Sequence, residues 1–227
     1  MVAPIVKATI QSAAINAVSN VVAQFIAAQR SEQPLIINWI SVFQFFIFGC
    51  VCTPPNFMWQ DLLESSFPGY HMAPTSEAVA SAAAGDDKEL DREAREGRLV
   101  EPRLNKGNTL AKTLLDQTVG AAFNTLLFST FMHAIRDAMA HHHAAPVANG
   151  LGFLLGGQAI RYENVDWLAV WHKTRAEFFS ILVAGWTFWP LISIVNFVFL
   201  KTVEARNLMG SLAGLAWGVY VSLFLGK

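Results

Sequence analysis

Residues 178–200 read FFSILVAGWTFWPLISIVNFVFL, an unbroken run without a charged side chain. Two tryptophans, a proline and an asparagine (Trp186, Trp189, Pro190 and Asn196) stand inside this otherwise apolar stretch. A proline removes a backbone donor and clashes with the preceding turn, so it breaks or kinks a helix. A lone amide in an apolar core must find a partner or cost stability. Both are tolerable in a bilayer, where neighbouring helices or water satisfy the freed carbonyl. The expected element is a membrane helix bent at Trp186-x-x-Trp189-Pro190. Trp189 packs against the bend, and Asn196 reaches toward another helix.

The rest of the chain follows the same pattern. Of 227 residues, 53% are hydrophobic and 15% charged, against roughly 25% charged in an average soluble domain. Further uncharged runs extend over 8–29, 33–60, 117–135 and 207–226, and about 20 apolar residues suffice to cross a bilayer as a helix. A soluble helical core would show polar residues every three or four positions on its exposed faces, which these runs mostly lack. The expected fold is an all-α integral membrane protein, one domain over 1–227 built as a bundle of four to five transmembrane helices. Whether the fifth run spans the membrane or lies along it stays open.

Between the second and third helices, 71–109 is small, polar and of mixed charge. It is expected as a long solvated loop, with a short helix near 87–98 supported by Asp91–Arg95 and Arg92–Glu96 pairs. Pro54 and Pro55 are expected to break or end the second helix, and Trp59 to sit in an interfacial belt. The fourth run is preceded by an amphipathic lead-in, VDWLAVWHKTRAEFF.

Composition and termini exclude several functions. The net charge is −1 and no basic stripe appears, so nucleic acid is not an expected partner. The N-terminus lacks the short apolar core and cleavage site of a secretory signal, and the terminal LFLGK is not a peroxisomal address. Cys50 and Cys52 read as small packing residues rather than a disulfide or metal pair. His141–His143 are consecutive and so point different ways around a helix. No metal and no cofactor are expected. The Gly- and Pro-rich stretch after them reads as a loop or re-entrant piece. Most Lys and Arg fall on the side of the N-terminus and 71–109, which tilts that side toward the cytosol or matrix.

The polar residues inside the runs are spaced. Asn16, Asn20 and Gln24 recur every four positions, as do Asp116, Gly120 and Asn124, with Gln117 beside them. On helices these are stripes that face other helices or water rather than lipid. With Ser193 and Asn196 they read in two ways, as the lining of a weakly selective hydrated path or as packing between helices. No catalytic residue is expected: Asp116 and His133 are the ionisable groups inside the runs, and they lie about 25 Å apart along one helix.

Several residues together resemble a known family. Trp186-x-x-Trp189-Pro190 with Asn196-Phe197, followed by Trp217-x-x-Tyr220-x-Ser222, is similar to the C-terminal signature of the Mpv-seventeen/peroxisomal membrane protein (22 kDa type) family. Gln24 matches the close of the family's first polar motif. Gly49, Pro54 and Trp59 match the end of the second helix, and Lys112, Asp116 and Gln117 the K-x-x-x-D-Q that opens the third. The chain departs from the pattern at Ser19-Asn20 (Gly-Asp in the family), Ala122 (proline), Ser193 (glutamine), Leu200-Lys201 (Val-Pro) and Arg206 (one place late), as a divergent member would. The resemblance implies a small multi-pass protein of the peroxisomal or mitochondrial inner membrane. It would act as a pore for small solutes or in organelle maintenance and sorting. The lipid bilayer is then the first partner. A homo-oligomer and a protein partner at 71–109 are also compatible with the reading.

Overall fold

The computed structural model describes residues 3–32, 34–140 and 159–224, with side chains described as far as Gly218. His141–His143, the Gly-rich stretch after them, and the side chains of Tyr220 and Ser222 lie outside the described residues.

Two long helices open the chain, α1 (Pro4–Ser31) and α2 (Trp39–Ser66). Each is about 42 Å long at 1.5 Å per residue, more than the ~30 Å of a bilayer's hydrocarbon core. α1 starts on Pro4, whose missing N–H would be unpaired there anyway. α2 starts after Asn38, whose side chain accepts from the Ser41 N–H. The chain then leaves the bundle through β1 (Tyr70–Pro74), α3 (Ser76–Ala84), α4 (Asp87–Arg95) and β2 (Val100–Leu104). It returns through α5 (Lys106–Leu115), a π-helical turn (Asp116–Gly120) and α6 (Ala121–Ala138). After a 3₁₀ turn at Tyr162–Asn164 come α7 (Trp167–Gly185), α8 (Trp189–Phe199) and α9 (Val203–Phe224).

Among the described residues three helices are long and apolar enough to cross a membrane: α1, α2 and the continuous α5–α6. α7 and α8, bent by 56° at their junction, add a fourth if taken as one broken span. Burial departs from that of a soluble protein. Asn20, Gln44, Gln60, Ser129, Ser193 and Asn196 are buried, while Phe46, Phe123, Phe179, Leu191 and Phe199 are exposed. That is the distribution expected when lipid is the solvent.

α1 and α2 cross at very close range. A Cβ on Gly49 would lie 2.6 Å from the Ala13 Cα and 2.9 Å from Asn16 Nδ2, so the missing side chain is what lets the two backbones meet. Gly49→Ala is therefore expected to push the helices apart at a cost of about 1–3 kcal/mol, read as a lower melting temperature in detergent. An unchanged melting temperature would contradict this approach. α9 runs beside α1 in the same direction: Ser12 hydrogen-bonds Ser211 at 2.7 Å, and seven residues on Ser19 meets Gly218.

Three expectations fail here. α2 does not end at Pro54–Pro55 but runs through both to Ser66. Each proline loses one backbone hydrogen bond, yet ending the helix inside the bilayer would leave more unpaired groups in hydrocarbon. Thr53, just before them, turns its hydroxyl onto the Gly49 carbonyl at 2.7 Å.

Second, 71–109 is not a solvated loop. β1 and β2 pair antiparallel from Tyr70↔Leu104 to Pro74↔Val100 and close off the α3–α4 hairpin. Local signals build this unit. Thr75 caps α3, Gly85 ends it with φ +65°, and Asp86 caps α4. The short helix is present as α4, Asp87–Arg95.

Third, the ion pairs in and around α4 are Arg92–Glu89, Arg98–Glu96 and Arg98–Glu77 instead of the i,i+4 pairs. α4 ends at Arg95, so Glu96 lies outside the helix that the Arg92–Glu96 spacing presumes.

Candidate functional site

The predicted polar residues do not form one lining. The α1 stripe is consumed in a staple across the α1–α2 turn. Gln24 accepts from the Asn38 N–H at 2.6 Å and donates to the Asn38 carbonyl at 3.2 Å and to Asn20 Oδ1 at 2.8 Å. Asn20 in turn donates to Ser41 Oγ at 3.1 Å, and Asn16 packs at the Gly49 crossing. Of the two readings of this stripe, interhelical packing fits these contacts.

The stripe on the third span is redirected. The π-helical turn adds a residue to one turn, so the inward face passes from Asp116 and Gly120 to Thr125 and Ser129, which are buried. Asn124, on the strict four-residue repeat, is exposed.

Asp116 is the centre of a buried node. One carboxylate oxygen accepts from Trp59 Nε1 at 3.3 Å and Gln60 Nε2 at 3.1 Å. The other accepts from Ser193 Oγ at 2.8 Å and Gln117 Nε2 at 3.2 Å. The node joins α2, the π-turn and α8. Trp59 thus faces the bundle and not an interfacial belt, and a Cβ on Gly120 would stand 2.8 Å from its Nε1. Three amide oxygens in the same elements, Gln60 Oε1, Gln117 Oε1 and Asn196 Oδ1, are buried without a donor.

One helical turn away lies a charge cluster. Lys112 precedes Asp116 by four residues, Glu64 follows Gln60 by four, and Phe197 follows Ser193 by four. Glu64 Oε2 stands 2.7 Å from Lys112 Nζ and 2.7 Å from Arg206 Nη1. The Arg206 contact is an ion pair without the alignment of a hydrogen bond. Glu64 Oε1 accepts from the Gly69 N–H at 2.8 Å, and Arg206 Nε donates to the Leu200 carbonyl at 2.9 Å. Both cations also lie over the Phe197 ring, Lys112 at 5.0 Å and Arg206 at 5.3 Å. Lys112, Arg206 and Phe197 are at most 2% exposed. Asn56 donates to Asn207 at 3.2 Å and extends the seam between α2 and α9. Node and cluster form one polar column walled by α2, α5 with its π-turn, α8 and α9.

The α7–α8 break closes this column on one side. Trp186 Nε1 donates to the Gln117 carbonyl at 2.8 Å, so the π-turn and the broken helix are tied together. Trp189 lies against Gly185, and Phe188 and Trp217 stack with centroids 5.6 Å apart. Pro190 does not kink a continuous helix. The chain turns at Trp186–Phe188, and Pro190 sits in the first turn of α8, where its missing N–H costs nothing.

Sequence reasoning missed Glu64, Gln60, Arg206 and Asn207 as column residues. It also missed that His133 has a partner: Glu177, on α7, stands 2.9 Å from His133 Nε2 and accepts from Ser129. The carboxylate lies one residue outside the fourth uncharged run, which hid it. Among the described residues no group of three His, Cys, Asp or Glu could hold a metal ion. Two surface hollows, of about 140 and 460 Å³, lie by the starts of α1 and α9, the larger also lined by Phe57, Met58 and Asp61 of α2, and neither touches Asp116.

The Mpv17 / PMP22 family model matches residues 162–222, the segment that holds Trp186, Trp189, Pro190, Ser193, Asn196, Phe197, Arg206 and Trp217. PXMP2/4 family protein 3 of Dictyostelium discoideum is 23% identical over 224 residues, which covers 99% of this chain and 85% of that protein. Protein sym1 of Schizosaccharomyces pombe is 22% identical over 237 residues, covering 97% and 84%. No solved structure matches. Of the residues that carry the resemblance, Trp59, Lys112, Asp116, Gln117, Trp186, Trp189, Asn196 and Phe197 lie in the column or the broken helix beside it. The chain is a multi-pass helical membrane protein that resembles the Mpv17 / PMP22 family over residues 162–222.

Proposed function

We propose that the chain forms a weakly selective, gated path for small solutes in an organelle membrane, along the column between α2, the π-turn, α8 and α9. The resemblance implies the peroxisomal or mitochondrial inner membrane as the setting. The supporting observation is the set of buried amide oxygens without donors, Gln60 Oε1, Gln117 Oε1 and Asn196 Oδ1, beside Asp116. Native proteins rarely leave such acceptors dry, and water or a passing polar solute satisfies them. The column is closed in this state, since Asp116 is held from α2 and α8 together. Opening separates α8 from α2, and the bend between α7 and α8 supplies the hinge.

Thiol accessibility tests this reading in a chain freed of Cys50 and Cys52 by alanine substitution. Asn196→Cys is expected to react with a charged, membrane-impermeant thiol reagent much faster than Leu191→Cys, which faces lipid. Equal protection of both positions in the folded protein would make the column dry packing.

A second reading, a scaffold that recruits a protein partner, rests on the protruding folded unit at 71–109. Replacing 75–99 by a tight turn between Pro74 and Val100 spares solute passage under the first reading. Under the second it abolishes recruitment.

A further inference from the structure

The two-stranded ladder has one apolar face and one polar face. Side chains alternate along a strand, and directly paired residues share a face. By the register, Tyr70, Met72 and Pro74 therefore stand with Leu104, Pro102 and Val100 on one side. His71, Ala73, Glu101 and Arg103 stand on the other. Tyr70 shows where the apolar face is turned. Its hydroxyl donates to the Val198 carbonyl of α8 at 2.7 Å, so the base of this face looks onto the membrane helices. Two residues outward no described residue covers it: Met72 is 63% and Val100 47% exposed. An isolated two-stranded ladder with an apolar face in water is marginal at best.

We infer that this face rests on the bilayer, at the boundary between headgroups and acyl chains beside the end of α8. Its inner edge is continuous with a helix whose large apolar side chains, Phe199 and Leu191 among them, are exposed as those of a membrane span are. The edge also carries the mark of a headgroup level: Lys201 Nζ sits 5.5 Å over the Tyr70 ring, a cation on a long stem beside an amphipathic aromatic. The ladder would then anchor α3 and α4 at a fixed height and orientation above the membrane. This placement holds whether the column conducts or not.

The test uses the full chain with Cys50→Ala and Cys52→Ala, one copy per phosphatidylcholine nanodisc, carrying either Met72→Cys or His71→Cys labelled with an environment-sensitive fluorophore. Brominated acyl chains are expected to quench the Met72 label several-fold more than the His71 label, while aqueous iodide shows the reverse order. Val100→Cys should behave as Met72→Cys and Arg103→Cys as His71→Cys, so a local disturbance at one site does not decide the result. Equal iodide quenching on both faces would overturn the inference. So would a Met72 label shielded from both quenchers, which would place protein over this face.

Discussion

Glu64→Gln is expected to destabilise the protein more than any other single change of charge. The cluster holds two cations and one carboxylate, with Lys112 and Arg206 buried beneath Glu64. Removing one partner of a buried ion pair costs about 3–5 kcal/mol, because an uncompensated charge stays behind. Here two are stranded at once, left with the Phe197 ring and, for Arg206, the Leu200 carbonyl. Glu64 is 29% exposed, so water screens part of the loss and the lower end of that range applies. Lys112→Met is expected to be milder, since Glu64 and Arg206 then remain paired one to one and methionine keeps most of the volume. Melting temperatures in detergent should rank wild type above Lys112→Met above Glu64→Gln. The reverse ranking of the two variants would show that the cluster is not organised around the carboxylate.

Asp116→Ala is the second large effect. Four donors converge on this carboxylate from α2, the π-turn and α8. A buried donor left without its acceptor costs about 1–3 kcal/mol. The full sum is not expected, because Gln60 Oε1 and Gln117 Oε1 lack donors and can accept from their neighbours after small rotations. A loss of several kcal/mol is the expectation, against about 1 kcal/mol for Ser193→Ala, which removes one bond to a carboxylate that keeps three. Equal effects of the two substitutions on thermal unfolding would mean that the node is a single contact and not a junction. Asp116→Asn keeps the shape and one acceptor oxygen, so it is the variant suited to functional comparison.

Fold class was legible because it rests on a one-dimensional property. Uncharged runs long enough for a bilayer need no knowledge of partners, and the three to four candidate spans follow from them. What failed were inferences that stopped at local rules. Pro54 and Pro55 carry a helix-breaking signal, yet α2 continues because lipid penalises the alternative. Asn124 follows Asp116 and Gly120 at perfect spacing, but one π-turn shifts every later residue on that helix and no local signal announced it. The 71–109 segment read from composition as a solvated loop with one short helix. Its caps at Thr75 and Asp86 are local signals that composition hides, and the strand pairing that closes it joins residues about thirty apart.

The site was half legible for the same reason. Asp116, Gln117, Ser193 and Asn196 were singled out as polar residues in apolar runs. Glu64, Arg206 and Glu177 were not, because each lies just past the end of a run, where a charge looks ordinary. Their burial is decided by what packs across from them. The equivalence of Lys112–Asp116, Gln60–Glu64 and Ser193–Phe197, each four apart on its own helix, becomes a column once three helices are laid side by side.

Single-channel recording in planar bilayers tests the central claim most directly, with wild type and Asp116→Asn each shown to be folded and inserted. A conducting column predicts discrete openings in the wild type. In Asp116→Asn it predicts a shifted cation-to-anion preference, since the one carboxylate beside the unpartnered amide oxygens has lost its charge. Silence from the folded, inserted wild type would contradict the account, and permeability ratios unchanged in a conducting Asp116→Asn would remove the column from the path.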